Sequence, residues 1–93
     1  MNECVFCRIV SGELPCYRVY EDKDFLGFLD IKPLSPGNSL IIPKKHYRWV
    51  YDVPNFGEYW EVAKIVSLAT KRVIKGCDSI GYLTLGYEVP HAI

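Results

Sequence analysis

The chain has 93 residues, of which 49% are hydrophobic, 14% aromatic and 24% charged. This length and composition predict a single globular domain, over residues 1–93, with enough apolar surface to bury a core. The 11 basic and 11 acidic residues cancel, so no net charge attracts the chain to nucleic acid or to an anionic membrane.

The N-terminal stretch MNECVFC does not resemble a secretion signal, because it has an acidic residue and no apolar core behind a basic start. All apolar runs are much shorter than the roughly 20 residues of a membrane span. We therefore expect a soluble, cytoplasmic protein with no membrane partner. In that setting Cys4, Cys7, Cys16 and Cys77 are expected as reduced thiols, and two disulfides are the alternative.

The first half of the chain predicts a helical turn and three strands. The turn follows Cys4 and ends at Gly12. Residues 17–21 alternate, and with residues 25–30 they predict a hairpin joined by the polar turn DKD. The Pro- and Gly-containing stretch IKPLSPGNS predicts a loop. Ser39–Pro43 then predicts a short buried strand, ended by a proline that has no N–H to donate.

Residues 55–75 predict a long helix. Asn55 is a candidate N-cap with Glu58 three residues later, which approximates a capping box. Gly76 is a suitable residue just beyond the C-terminal end. Apolar residues recur at spacings of three and four and predict one mostly apolar stripe, formed by Phe56, Tyr59, Trp60, Ala63, Val66, Thr70, Val73 and Ile74.

The final stretch, IGYLTLGYEVPHAI, predicts a last strand over residues 80–93. Its side chains alternate between two faces, and Pro90 marks an edge or a bend. Helices combined with antiparallel strands in this order predict an α+β fold.

Cys4 and Cys7 form a Cys-x-x-Cys pair, a spacing at which two thiolates can hold one tetrahedral zinc ion. A thioredoxin-type redox dithiol is one alternative, although such a pair normally follows a strand. Two unrelated buried cysteines are the other. The spacing alone leaves all three interpretations open.

The chain has only two histidines, His46 and His91. His46 lies in the basic stretch PKKHYRW, where Lys44, Lys45 and Arg48 suit either an anionic ligand or a solvated surface. His91 follows an apolar strand, where an imidazole needs a hydrogen-bonding partner. Either histidine can be a metal ligand or an ordinary loop or core residue.

Several motifs in order make the chain resemble the histidine-triad proteins, which are small nucleotide-binding hydrolases and transferases. These motifs are CVFC, the turn GELP, VYED, FLDIKP, PG, IPKKH and finally GYEVPHA. They cover essentially the whole chain. The resemblance implies an α+β fold with a five-stranded antiparallel sheet, one long helix and a short N-terminal helix, in which the final strand is cut short.

The resemblance also implies partners and site residues. Histidine-triad proteins form homodimers and bind nucleoside monophosphates and related phosphoramidates or dinucleotides. By position, Phe6, Phe28 and Leu29 are expected near the base, Asp30 at the ribose hydroxyls and Ile31 beside the nucleoside.

The metal-bearing members of that family imply a structural zinc site in this chain. The matching ligands are Cys4, Cys7, His46 and His91, and His91 is then the first histidine of the triad. Cys16 and Cys77 have no counterpart and are expected to act as small apolar residues.

The chain departs from the family pattern at position 93. The family continues His-x-His-x-His, and its second histidine attacks the α-phosphorus, but this chain has His91, Ala92 and Ile93. Isoleucine cannot form the covalent intermediate, so we expect no catalytic residue and no turnover. Two interpretations remain: a hydrolase truncated within the motif, or a short zinc-stabilised module that binds nucleotides or dimerises without catalysis.

Overall fold

The computed structural model describes residues 4–31, 37–84 and 91–93. The strands form one antiparallel sheet of order β1-β2-β3. The elements, in chain order, are α1 (Val5–Val10), β1 (Arg18–Glu21), β2 (Phe25–Leu29), β3 (Ser39–Pro43), a 3₁₀ turn (Val50–Asp52) and α2 (Phe56–Val73). The predicted α+β class, both helices and the first three strands are confirmed.

Strand β2 is the middle strand of this sheet and is covered on both faces. On one side, Leu26 and Phe28 pack with α1 in a first core cluster that also contains Ile42. On the other side, Phe25 packs with residues of α2 in a second cluster. Alternation of side chains along β2 therefore separates a face under α1 from a face under α2.

Helix α2 is held to the sheet by one aromatic residue in particular. The ring of Tyr59 stacks on Phe25 with centroids 5.1 Å apart, and its hydroxyl donates a 2.6 Å hydrogen bond to the carbonyl oxygen of Ile41. Burial raises the pKa of Tyr59 far above its ordinary value, which keeps the hydroxyl protonated as a donor. This contact fixes the helix against both β2 and β3.

The buried side of α2 is narrower than the sequence predicted. The helix buries Tyr59, Val62, Ala63 and Val66, at the spacing of three and four expected for one face. Phe56, Trp60 and Val73 belong to the predicted apolar stripe but are exposed. The periodicity of the sequence indicated which side of α2 faces the sheet. The width of the buried face depends on how much of the helix the neighbouring strands cover, which periodicity does not report.

The predicted capping box at the start of α2 lacks the expected hydrogen bond from the backbone to the side chain of Asn55. Asn55 occupies the N-cap position but makes no side-chain cap hydrogen bond. Its amide instead lies 3.3 Å from the carboxylate of Glu58. Gly76 has a positive φ of 83° just beyond the helix end, as expected for a glycine that reverses the chain there.

The described residues at the start of the last predicted strand do not form a strand. Residues 80–84 carry no strand assignment, and residues 85–90 lie outside the described part of the chain. The described residues therefore show three strands of the expected five. Tyr82 lies over α2, with its ring 5.6 Å from that of Trp60. No helix in the described ranges is long and apolar enough to cross a membrane, and a cytoplasmic location stays a prediction.

The hairpin between β1 and β2 is organised by the carboxylate of Asp22. Its Oδ1 accepts the backbone N–H groups of Asp24 and Phe25, both at 2.8 Å, and its Oδ2 accepts the hydroxyl of Tyr20 at 2.7 Å. Burial acts to raise the pKa of Asp22, but these three hydrogen bonds outweigh it and hold the pKa below its ordinary value.

We expect Asp22→Asn to lower the free energy of unfolding by about 1 kcal/mol at pH 7, because an amide is a weaker acceptor and this site is partly exposed. A depressed folded-state pKa stabilises the fold above the unfolded value, 3.8, and this contribution is lost as the pH falls through the folded value. Urea unfolding at pH 7 and at pH 3 measures the difference, which should shrink at the lower pH.

Asp24→Asn is the matched control, because it removes the same charge from the same turn and leaves the three bonds to Asp22 in place. A loss that is equal for the two variants, or that does not change with pH, would contradict this role for Asp22.

Candidate functional site

Two cysteines and two histidines from distant parts of the chain meet at one point. The ligand atoms of Cys4, Cys7, His46 and His91 all lie within 4.8 Å of one another. Nδ1 of His91 is 3.3 Å from the sulfur of Cys4 and 3.4 Å from that of Cys7. Nδ1 of His46 is 3.1 Å from the sulfur of Cys7. This cluster could bind a metal ion.

Local structure explains how each ligand is placed. Cys4 is the N-cap of α1 and Cys7 lies in the first turn of that helix, so a separation of three residues turns both sulfurs to one side. His46 follows β3 closely, beyond Pro43. His91 returns to the end of β3, where the N–H of its neighbour Ala92 donates to the carbonyl oxygen of Tyr47.

The imidazole of His91 is fully buried and is oriented by the backbone. Its Nε2 lies 2.9 Å from the carbonyl oxygen of Pro43. A carbonyl can only accept, so Nε2 carries the proton and Nδ1 presents its lone pair to the two sulfurs. Burial lowers the pKa of His91, the bond to Pro43 acts to raise it, and nearby His46 lowers it further. The net effect favours the neutral ring, which is the metal-ligating form.

The donor set fits a zinc ion in both chemistry and geometry. Two sulfurs and two imidazole nitrogens form a Cys₂His₂ set. With Zn–S near 2.3 Å and Zn–N near 2.0 Å, neighbouring ligands of a tetrahedral site lie about 3.3–3.8 Å apart. The three sulfur–nitrogen distances, 3.1, 3.3 and 3.4 Å, are close to these values. The bond from His91 to the Pro43 carbonyl is the outer-shell contact that typically orients a histidine ligand.

A buried aromatic ring connects this cluster to the sheet. Phe6 lies between the two cysteines on α1, and its ring makes an edge contact with His91 at 5.8 Å. The same ring makes an edge contact with Phe28 of β2, also at 5.8 Å. Two of the residues predicted near a base, Phe6 and Phe28, are thus in contact with each other, and Phe6 contacts the candidate metal ligand His91.

The other predicted nucleoside residues lie at the end of β2. Leu29 and Ile31 are exposed, Ile31 to 84%. Because side chains alternate along a strand, Leu29 lies on the opposite face from Phe28. Asp30 follows the strand; its N–H donates to the carbonyl oxygen of Asn38 at 2.9 Å, and its carboxylate lies 3.4 Å from the Asn38 amide. The structure does not gather all five residues around one buried pocket.

Sequence reasoning missed two groups at the site. The carbonyl of Pro43 orients His91, and no sequence pattern marks a backbone acceptor. The second is the amide of Asn38, which lies beside the carboxylate of Asp30. The sequence signal that could have indicated it is an asparagine directly after a glycine, since asparagine is common in turns and its amide can reach a nearby group.

The basic residues around His46 are already engaged by groups of the protein. Lys44 forms a 2.7 Å ion pair with Glu21. The Lys45 ammonium lies over the ring of Tyr47 at 5.9 Å, and the Arg48 guanidinium lies over Trp49 at 5.0 Å. These contacts agree with a solvated surface better than with a preformed anion site.

Known proteins share both the sequence and the fold of this chain. An uncharacterized HIT-like protein of Borreliella burgdorferi is 45% identical over 75 residues, which cover 78% of this chain and 54% of that protein. The adenosine 5'-monophosphoramidase HNT1 of Saccharomyces cerevisiae is 42% identical, with 97% of this chain and 61% of that protein covered. The chain thus spans little more than half the length of these relatives.

A solved structure extends the comparison to the metal. The Zn-bound histidine triad family protein from Mycobacterium smegmatis matches with a TM-score of 0.87 and 34% identity, over 97% of this chain and 70% of that chain. Residues 11–92 of the sequence match the HIT domain family. The chain therefore belongs to the histidine-triad family.

Proposed function

We propose that this chain is a nucleotide-binding member of the histidine-triad family, folded as one domain over residues 1–93 and stabilised by a structural zinc ion. The observation that carries the proposal is the Cys₂His₂ cluster placed directly beside the aromatic pair Phe6 and Phe28. Relatives named as an adenosine 5'-monophosphoramidase and an adenylylsulfatase support a nucleotide as the ligand.

Cys4, Cys7, His46 and His91 would hold the zinc ion. When bound, zinc supplies a cross-link between the start of the chain and His91, which lies 87 residues beyond Cys4 and 84 beyond Cys7. Such a site does not exist in the unfolded chain, so its binding free energy adds to folding, on the order of 10 kcal/mol for structural sites. A domain of this size gains little stability from its core alone, which makes the contribution large.

We expect Cys4→Ser to prevent zinc binding and to lower the melting temperature by at least about 10 °C, because a loss of 2 kcal/mol already shifts a domain of this length by that amount. Metal analysis by mass spectrometry and thermal unfolding, with and without a chelator, measure both effects.

Cys16→Ser is the control, because it removes a partly buried thiol that lies outside the cluster. If the chelator leaves the melting temperature of the unmodified chain unchanged, zinc is not a structural element of this protein.

For the nucleoside, we propose that the base lies near Phe6, Phe28 and Leu29. Asp30 binds the ribose hydroxyls, and Ile31 lies beside the nucleoside. The proposal is supported by the position of Asp30 just beyond β2, where Asn38 contacts its carboxylate. It is also supported by the exposure of Leu29 and Ile31, since apolar groups at the protein surface are available to pack against a base.

Residue 93 favours a second candidate, a zinc-stabilised module that binds nucleotide or dimerises without catalysis. In histidine-triad proteins the second histidine of the motif is the nucleophile, and Ile93 stands at that position here. An aliphatic side chain has no lone pair with which to attack phosphorus. We therefore propose that these 93 residues bind a nucleotide and do not cleave it.

With adenosine phosphoramidate as the ligand, we expect saturable binding and no release of adenosine monophosphate. Asp30→Asn should weaken binding about tenfold, because a hydrogen bond to a charged acceptor contributes about 1.5 kcal/mol. Titration calorimetry measures the affinity, and chromatography of the same sample detects any product.

Asp52→Asn is the charge-matched control on the exposed 3₁₀ turn and should leave the affinity unchanged. Product formation by the purified chain would show that another group acts as nucleophile, whereas equal affinities of the two variants would remove Asp30 from the site.

We further propose that the chain forms a homodimer with a five-stranded sheet in each protomer. The outward side of α2 exposes Ile65 and Leu68, and Tyr82 and Leu83 beyond the helix are exposed as well. Contiguous exposed apolar residues typically mark an interaction surface, and burial between two copies would offset the small core of one chain.

Light scattering on a size-exclusion column should give about twice the 10.7 kDa of one chain. Leu68→Lys should shift the mass to that of a monomer, because a buried charge without a partner is costly. Val19→Lys is the control, since Val19 is also exposed but belongs to strand β1 and not to α2. A mass that is the same for both variants argues against α2 as the interface.

A further inference from the structure

The two cysteines of the cluster differ in their access to solvent. Cys4 is only 5% exposed and belongs to the core cluster with Phe6 and Ile9, and its contact with His91 is buried. Cys7 is half-buried, and its sulfur meets His46 on the exposed side of the site. A small solute that approaches from water therefore reaches the sulfur of Cys7 before that of Cys4.

The two sulfurs also lie within 4.8 Å of each other. Both lie within 3.4 Å of the same atom, Nδ1 of His91, and Cys4 and Cys7 are separated by one turn at the start of α1. A disulfide needs a sulfur–sulfur distance of about 2.0 Å and Cβ atoms about 3.8 Å apart. Cys4 lies at the N-cap, outside the helical turns, so its side chain can rotate towards Cys7 without breaking α1.

We propose that Cys4 and Cys7 form a peroxide-reactive pair, in which Cys7 is the thiolate that is oxidised first, Cys4 resolves it as a disulfide, and the metal is released. The inference rests on the proposed zinc site. Its oxidant is a hydroperoxide, the class of small oxidant that reacts with accessible thiolates.

The chemistry balances as two displacements. The Cys7 thiolate attacks one peroxide oxygen, the O–O bond breaks, and a sulfenic acid and one hydroxide are formed. The Cys4 thiolate then attacks the sulfur of Cys7, the S–O bond breaks, and a second hydroxide leaves as the S–S bond forms. Two thiolates lose two electrons in total, and hydrogen peroxide with two protons from solvent becomes two waters.

Disulfide formation removes both anionic ligands of the site at once. His46 and His91 remain as two nitrogen donors, which are too few for a closed tetrahedral zinc site. The effect reaches the proposed nucleoside site because Phe6 lies between the two cysteines and contacts both His91 and Phe28. Oxidation thus loosens the N-terminal helix from the end of the chain and disturbs the aromatic pair.

The other two cysteines provide an internal comparison. Cys16 is partly buried and packs against the same core cluster, which makes it the competing partner for a disulfide. Cys77 lies beyond α2, where its thiol donates to the carbonyl oxygen of Ser79 at 3.6 Å. Neither belongs to the four-residue cluster.

The test uses the full chain with Cys16→Ser and Cys77→Ser, loaded with zinc and then treated with a small excess of hydrogen peroxide. A chromophoric chelator measures released zinc, a thiol reagent counts remaining thiols, and intact mass reports the loss of two hydrogens. We expect one zinc released for every two thiols lost, with recovery after a reductant and fresh zinc.

The outcomes distinguish failure of the redox pair from failure of the proposed metal site. Retention of zinc while thiols are lost, or loss of zinc with both thiols intact, overturns the redox pair. Failure of the chain to load zinc before peroxide is added overturns the proposed metal site, and this inference with it. Those two failures occur at different steps of the experiment and cannot be confused.

The order of reaction is tested separately on the unmodified chain. A brief exposure to peroxide with the sulfenic-acid trap dimedone, followed by peptide mapping, should place the adduct mainly on Cys7. In Cys4→Ser the adduct on Cys7 should accumulate, because the resolving thiol is gone. An adduct mainly on Cys4, or a disulfide from Cys7 to Cys16, would falsify the assigned roles.

Discussion

The hydrogen bond between Nε2 of His91 and the carbonyl oxygen of Pro43 organises the rest of the site. A fully buried imidazole must have partners for both nitrogens, and this bond settles which nitrogen carries the proton. Nδ1 is left as an acceptor that faces two sulfurs. The acceptor is the carbonyl oxygen of Pro43, the last residue of β3. A strand end thus becomes the orienting group of a candidate metal ligand.

Helix α1 depends on these contacts more than on its own stability. Six residues are far too few for a helix to persist alone in water, and α1 has no side-chain cap at its N-terminus. Its position comes from Phe6 and Ile9 in the core and from the cysteines at its first turn. The candidate metal centre and the aromatic pair of the proposed nucleoside site therefore share one short element, so a change in either affects the other.

Local patterns in the sequence were sufficient for the elements whose ends are set by local chemistry. Gly12, with a φ of 86°, stops α1, and Pro43 stops β3, both as predicted. The exposure of Trp60 and the absence of a strand at residues 80–84 depend on contacts with residues distant in the sequence. A local sequence pattern carries no information about such contacts. Cys-x-x-Cys spacing left three interpretations open, because His91 is 84 residues from Cys7. Only the resemblance to a family named that distant ligand.

The candidate metal centre has a buried side and a solvent-exposed side. This difference follows from the position of the loop that carries His46. Lys44 anchors the start of that loop to the β1–β2 hairpin through Glu21 and through its N–H, which donates to the carbonyl oxygen of Asp24. The hydrogen bond to Lys44 lowers the pKa of Glu21 against the opposing effect of burial, which favours the charged carboxylate. The next residues turn out to solvent and carry His46 with them. Cys4 and His91 are buried, whereas Cys7 is half-buried and His46 is exposed, so one edge of the cluster faces solvent.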